Sequence, residues 1–134
     1  MKVQYIIATH GHMASGIHNS IEILLGNKEN IHSIDCYVDD KDVEKEIKDI
    51  TEIKYPNEDI LIFTDLYGGS VNQIATRIAN DRIHVVTGIN LALVLELITL
   101  DKITTEDINA AIEGAKSQIV YINDATIEND DEFF

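Results

Sequence analysis

The 134-residue chain carries 24 acidic against 10 basic residues, a formal net charge of −14, with an ordinary apolar share of 45%. This length predicts one domain with a sizeable core, and the acidic balance argues against a nucleic-acid surface, which needs cationic side chains facing phosphates. No run approaches the ~18 apolar residues that a membrane helix requires, and we expect no signal peptide at the N-terminus.

Strands and helices alternate along the sequence. In chain order, the predicted elements are a strand at 3–9, a helix at 13–25 that stops at Gly26, a strand at 31–38, a helix capped by Asp39 or Asp40, a strand at 60–64, a helix after Ser70, a strand at 83–87, helices at 91–100 and 105–115, and a short strand at 118–122. The single cysteine, Cys36, excludes an intramolecular disulfide and is predicted to be a core residue. Residues 1–123 are predicted to form one domain, and residues 124–134 an acidic tail.

The alternation predicts an open, mostly parallel sheet covered by helices on both faces, which is the doubly wound α/β class. The strands are continuous apolar runs, as expected when both of their sides are buried. In such sheets ligands bind beyond the carboxyl ends of the strands, where the strand order reverses. With the order two-one-three-four, the reversal lies between strands one and three, and His10 would face Asp65 across it.

His10 and Asp65 are the residue types that a directed histidine nucleophile needs. A carboxylate that accepts the N–H of one ring nitrogen fixes the tautomer and turns the other lone pair outward. Asp65 would therefore orient His10 and stabilise the positive charge that develops on the ring. The structural alternative is that His10 simply ends a strand and that Asp65 caps the following helix.

Gly68-Gly69-Ser70 stand where the third strand gives way to a helix. Backbone N–H groups and the Ser70 hydroxyl at a helix N-terminus suit a dianionic phosphoryl group, and Gly69 lets that group approach closely. A nucleophile, an orienting carboxylate and an anion cradle together predict a phosphoryl acceptor. Each part also has a plain structural use, since such glycines occur in turns and such serines cap helices.

Other functions match parts of this pattern. His10 and His12 have a His-x-His spacing that some metal sites use, but no Cys or third His stands nearby in a ligand pattern, so we expect no metal. A receiver domain needs an acidic pair after strand one to hold Mg²⁺, and a histidine phosphatase needs Arg where this chain has Thr9. A flavin or nucleotide binder, with its phosphate loop at 9–16, stays open as the best alternative, and an absorbance spectrum would reveal flavin.

Three segments carry a family resemblance: Ile6-Ile7-Ala8-Thr9-His10-Gly11, Phe63-Thr64-Asp65-Leu66-Tyr67-Gly68-Gly69-Ser70 and Val86-Thr87-Gly88-Ile89-Asn90. They resemble the enzyme IIA component of the mannose-type bacterial sugar phosphotransferase system, and the resemblance covers about residues 1–123. One departure is His12, which stands where the family often has an aromatic side chain.

The resemblance implies a phosphotransferase of the transferase/kinase class that relays a phosphoryl group and uses no cofactor. His10 would accept the group from the phosphocarrier protein HPr and pass it to enzyme IIB, which serves a membrane permease. Asp65 would orient His10, and Gly69 and Ser70 would bind the phosphoryl group. The resemblance also implies a cytoplasmic homodimer, peripherally associated with the permease, in which the strand at 118–122 is exchanged and antiparallel; IIB is expected on a separate chain.

Overall fold

The computed structural model describes residues 3–125. In chain order its elements are β1 (Val3–His10), α1 (Met13–Leu25), β2 (Ile31–Cys36), α2 (Val43–Lys48), a π-helical segment (Asp49–Lys54), β3 (Asp59–Thr64), α3 (Ser70–Ile78), β4 (Ile83–Thr87), α4 (Leu91–Leu97), α5 (Thr105–Lys116) and a 3₁₀ turn (Ile122–Asp124). The predicted alternation of strands and helices is therefore present. Within residues 3–125, no helix is both long enough and apolar enough to cross a bilayer.

The strands pair in the order β2-β1-β3-β4, and all three pairs are parallel. This order is the predicted one, and it reverses between β1 and β3. Ala8 of β1 lies beside Thr64 of β3, and His10 lies beside Cys36 of β2. The carboxyl ends of β1, β2 and β3 therefore meet at one edge of the sheet, where the residues that follow them share a surface.

Helices cover both faces of the sheet. Because alternate residues of a strand point to opposite faces, Tyr5 and Ile7 pack with α1, α4 and α5, whereas Ile6 and Ala8 pack with α2 and α3. All four side chains are fully buried, and burial of a side chain as large as isoleucine contributes about 1.5–3 kcal/mol. The core therefore packs against both faces of β1 as far as Ala8, just before Thr9 and His10.

Helix α2 begins later than the sequence pattern predicted. Its N-cap is Asp42, whose carboxylate accepts the Lys45 N–H at 3.1 Å, so the prediction of a cap at Asp39 or Asp40 was wrong. The Asp39 carboxylate instead accepts the Lys41 N–H at 3.0 Å, two residues on. This local turn delays the start of the helix.

Residues 118–122 do not form a strand in this chain, so the predicted strand was wrong for the single chain. The Gln118 N–H donates to the Ala115 carbonyl at the end of α5, and a 3₁₀ turn follows soon after. The apolar side chains at 119–122 are exposed, and within residues 3–125 the sheet has only the four strands named above. Exchange of this segment with a second chain stays a prediction. The predicted tail lies outside the described residues from position 126 onward.

Cys36, the last residue of β2, is fully buried, and its Sγ lies 3.7 Å from the Ile34 carbonyl oxygen. Burial raises the pKa of this thiol to about 11. Since the thiolate is the reactive form, we expect iodoacetamide at pH 8 to modify the protein quickly in urea and very slowly in buffer. Mass spectrometry of the two samples measures the difference. Equal rates would show that the end of β2 opens readily in the folded protein.

Candidate functional site

The ends of β1, β2 and β3 place several polar side chains on one surface. His10 ends β1, Tyr37 follows β2, and residues 65–70 connect β3 to α3. The His10 side chain is 41% exposed, so part of the imidazole is accessible while the rest contacts protein. We call this set of five residues the His10 site: His10, Tyr37, Asp65, Gly69 and Ser70.

Asp65 binds both the ring and the main chain of His10. Its Oδ2 lies 3.0 Å from His10 Nδ1 and accepts the His10 backbone N–H at 2.9 Å, while its Oδ1 accepts the Leu66 N–H at 3.0 Å. Because a carboxylate can only accept, Nδ1 carries the proton and the Nε2 lone pair points away from Asp65. The two side chains that the sequence placed across the reversal point are therefore in contact.

Asp65 is ionised at neutral pH. Partial burial alone would raise the pKa of its carboxyl, but hydrogen bonds from the His10 backbone N–H and the His10 ring outweigh burial and lower that pKa. A fixed negative charge next to Nδ1 favours any positive charge that develops on the imidazole.

A buried polar network beneath the site fixes the 65–70 loop. Asn72 of α3 accepts the Gly68 N–H at 3.0 Å and donates to the Thr64 hydroxyl at 3.1 Å, and Thr64 donates to Thr87 at 2.8 Å. Asn72 is only 7% exposed, so these bonds replace water for both ends of its amide. The sequence pattern does not single out Asn72, because a polar residue in the first turn of a helix is usually solvated.

Gly69 brings the loop against the imidazole. It is the N-cap of α3, and its N–H donates to the Leu66 carbonyl at 3.0 Å. A Cβ at this position would lie 3.2 Å from that carbonyl oxygen and 3.7 Å from His10 Cε1. The distance to the ring is an ordinary contact, but the contact with Leu66 is tight, so a larger residue would distort the turn from Leu66 to Gly69. Ser70 follows as the first residue of α3.

Tyr37 completes the site, and the sequence pattern did not predict its presence there. Its hydroxyl lies 2.7 Å from Ser70 Oγ, and its ring centroid is 5.2 Å from the centroid of the His10 imidazole. Its backbone φ of +66° ends β2 at Cys36, two residues before the predicted end. Tyr37 belongs to the apolar run at 34–38, and such a run predicts that the strand continues through it. The sequence feature that could have pointed to Tyr37 is its position, since it is an aromatic residue close to the end of the strand that neighbours β1.

A second histidine–carboxylate pair lies on the other side of β1. His12 Nδ1 is 3.0 Å from Asp35 Oδ2, and Ser15 donates its N–H and its hydroxyl to the same carboxylate at 2.9 and 2.7 Å. These bonds fasten the start of α1 to β2, which gives Asp35 a structural role. The His12 side chain itself is 78% exposed. The His-x-His spacing suggested a metal ligand at His12, whereas its pairing with Asp35 could not be predicted from the sequence pattern.

The His10 site combines an oriented nitrogen lone pair with hydroxyl groups and a helix N-terminus. An oriented imidazole nitrogen can attack phosphorus, and hydroxyl and backbone N–H groups bind the oxygens of a phosphoryl group. Across residues 3–125, no cluster of three or more His, Cys, Asp or Glu side chains is arranged to hold a metal ion.

Comparison with known proteins finds relatives over most of the chain. A family model described as the fructose IIA component of the phosphotransferase system, EIIA-man, matches residues 4–116. The mannose-specific EIIAB component of that system from Escherichia coli K12 is 26% identical over 129 residues, which cover 87% of this chain. The alignment spans only 40% of the length of that relative.

Solved structures share the fold over nearly their whole length. A Klebsiella pneumoniae protein, proposed to be a phosphoenolpyruvate-dependent sugar phosphotransferase system permease, has a TM-score of 0.82 at 33% identity and covers 92% of this chain and 93% of its own. The phosphotransferase system IIA protein associated with the fucose utilization operon of Streptococcus pneumoniae has a TM-score of 0.77 at 26% identity, with coverage of 92% and 95%.

Proposed function

The chain belongs to the fructose/mannose-type IIA family of the phosphotransferase system, and from this membership we propose that it carries a phosphoryl group on His10. The supporting observation is the double contact of Asp65 with His10, which leaves Nε2 as the nitrogen free to react. The protein would act as a phosphohistidine relay within the sugar phosphotransferase system.

The proposed step is a displacement at phosphorus. The Nε2 lone pair of His10 attacks the phosphoryl group on a phosphohistidine of the donor protein, and a new N–P bond forms. The N–P bond of the donor breaks, and its electron pair returns to the donor ring. The His10 ring is then cationic, and the Asp65 carboxylate, 3.0 Å from Nδ1, stabilises it. Ser70 would bind the phosphoryl oxygens at the start of α3, and Gly69, whose own N–H donates to the Leu66 carbonyl, would let the phosphoryl group approach closely.

The proposed donor is HPr, and the proposed acceptor is enzyme IIB, which serves a sugar permease. Family membership supports both partners, and the net charge of −14 favours brief docking on basic partner surfaces. We also propose a cytoplasmic homodimer, peripherally associated with the permease. The exposed apolar side chains at 119–122 support the dimer, since such patches are commonly covered by another chain.

Incubation with phosphoenolpyruvate, enzyme I and HPr tests the proposed function. We expect the wild-type protein to gain one phosphoryl group that is stable in base and labile in acid, and to lose it when enzyme IIB is added. A reaction without HPr is the control and should give no label. Wild-type protein that stays unlabelled while HPr is phosphorylated would contradict the proposal.

A further inference from the structure

Tyr37 has a backbone conformation that its side chain disfavours. Among residues 3–125, it is the one non-glycine residue with a positive φ, at +66°. A bulky side chain in the left-handed region is a real outlier, because its Cβ crowds the backbone. Such conformations persist where surrounding contacts impose them, and they are concentrated at functional sites.

Burial in the core does not account for this conformation, since Tyr37 is 56% exposed. The contacts that Tyr37 makes are with the His10 site itself. Its ring lies tilted against the imidazole at 5.2 Å, and its hydroxyl is 2.7 Å from Ser70 Oγ. The strained backbone therefore brings one phenol into contact with both the His10 ring and the Ser70 hydroxyl.

The hydroxyls of Tyr37 and Ser70 differ in their strength as hydrogen-bond donors. A phenol, with a pKa near 10, is a stronger acid and a better donor than a serine hydroxyl. When the Tyr37 hydroxyl donates to Ser70 Oγ, the serine hydrogen is free to point to a third atom. The donated bond also polarises the serine hydroxyl, which strengthens the bond that it gives in turn.

We propose that Tyr37 is a positioning residue whose hydroxyl directs the Ser70 hydroxyl toward a phosphoryl group on His10 Nε2. This inference rests on the proposed function. Ser70 alone could rotate its hydroxyl freely, whereas a hydrogen bond donated by Tyr37 would occupy a lone pair of Ser70 Oγ and so restrict the directions in which the serine hydrogen can point. The ring of Tyr37 also limits the tilt of the imidazole, so the attacking nitrogen and the hydroxyl donor are held in one arrangement.

A double-mutant cycle tests the proposal. Tyr37→Phe keeps the ring and removes the hydroxyl, Ser70→Ala removes its partner, and Tyr55→Phe, which removes a tyrosine hydroxyl near the opposite end of the sheet, is the control. With phospho-HPr as substrate, we expect Tyr37→Phe to lower kcat about tenfold and to leave KM unchanged. Ser70→Ala should lower kcat by a similar amount, and the double variant should be no slower than Ser70→Ala alone.

The ³¹P NMR shift of the phosphohistidine gives a second readout that a purely structural role would not change. The shift should move in Tyr37→Phe and in Ser70→Ala, and it should stay at the wild-type value in Tyr55→Phe. A wild-type kcat for Tyr37→Phe, or losses that multiply in the double variant, would overturn the positioning role of Tyr37. The proposed function would still stand in that case. Wild-type protein that is never labelled would overturn the proposed function and this inference with it.

Discussion

Replacing His10 by glutamine is expected to abolish phosphoryl labelling of the protein. The glutamine amide has no nucleophilic ring nitrogen, but it keeps a donor for the Asp65 carboxylate, so that charge retains a partner. Because the side chain at position 10 is 41% exposed, the free energy of unfolding should change by less than about 1 kcal/mol. Transfer of label from phosphoenolpyruvate through enzyme I and HPr measures the loss, and urea unfolding checks the fold.

His12→Gln is the matched control, because it also removes an imidazole that is paired with a carboxylate near the end of β1. We expect this variant to be labelled at the wild-type rate. Labelling of His10→Gln at the wild-type level would exclude His10 as the acceptor. Loss of labelling in His12→Gln together with normal labelling of His10→Gln would move the acceptor to His12.

Replacing Asp65 by asparagine is expected to slow phosphoryl transfer on the order of 10²-fold, the low end of the range for removing one group that stabilises charge in a transition state. The carboxylate accepts hydrogen bonds on both oxygens, from His10 on one and from Leu66 on the other. Asparagine has only one acceptor oxygen. If its NH₂ group faces His10, it donates to Nδ1 and the proton moves to Nε2, which can then no longer attack. If the NH₂ group faces Leu66, the ring keeps its tautomer but loses the neighbouring negative charge.

The fold should survive this substitution, since one mismatched hydrogen bond costs about 1–3 kcal/mol. Asp35→Asn is the control, because it alters the carboxylate of the other pair, which fastens the start of α1. We expect Asp35→Asn to lose some stability against urea and to keep its transfer rate. Equal transfer rates for Asp65→Asn and the wild type would mean that Asp65 has only a structural role in the loop after β3.

The sequence was sufficient to predict the fold class and the contact between His10 and Asp65, for a simple physical reason. Continuous apolar runs mark doubly covered strands, and parallel strands joined by helices end at a common edge. The residues that follow the first and third runs must then be neighbours once the strand order is known. The same reasoning about strand ends predicted Gly69 and Ser70 as the two further residues of the site.

The features that the sequence did not reveal depend on backbone detail and on long-range contacts. Tyr37 continues an apolar run, and a single positive φ removes it from the strand and sends its ring to His10. Asn72 can be buried at little cost because Thr64 and Gly68 form hydrogen bonds with both ends of its amide. The segment at 118–122 has the apolar pattern of a strand, but pattern alone does not supply a neighbouring strand within the same chain.

The anchoring of His10 has a kinetic consequence. Asp65 contacts both Nδ1 and the main-chain N–H of His10, so under the proposed function Nε2 would be the one nitrogen that reacts. Donor and acceptor proteins would have to reach that nitrogen over the same patch of surface, so they would occupy it in turn and never together. Transfer would then follow a ping-pong scheme, with parallel lines in double-reciprocal plots, and an excess of either partner would compete with the other.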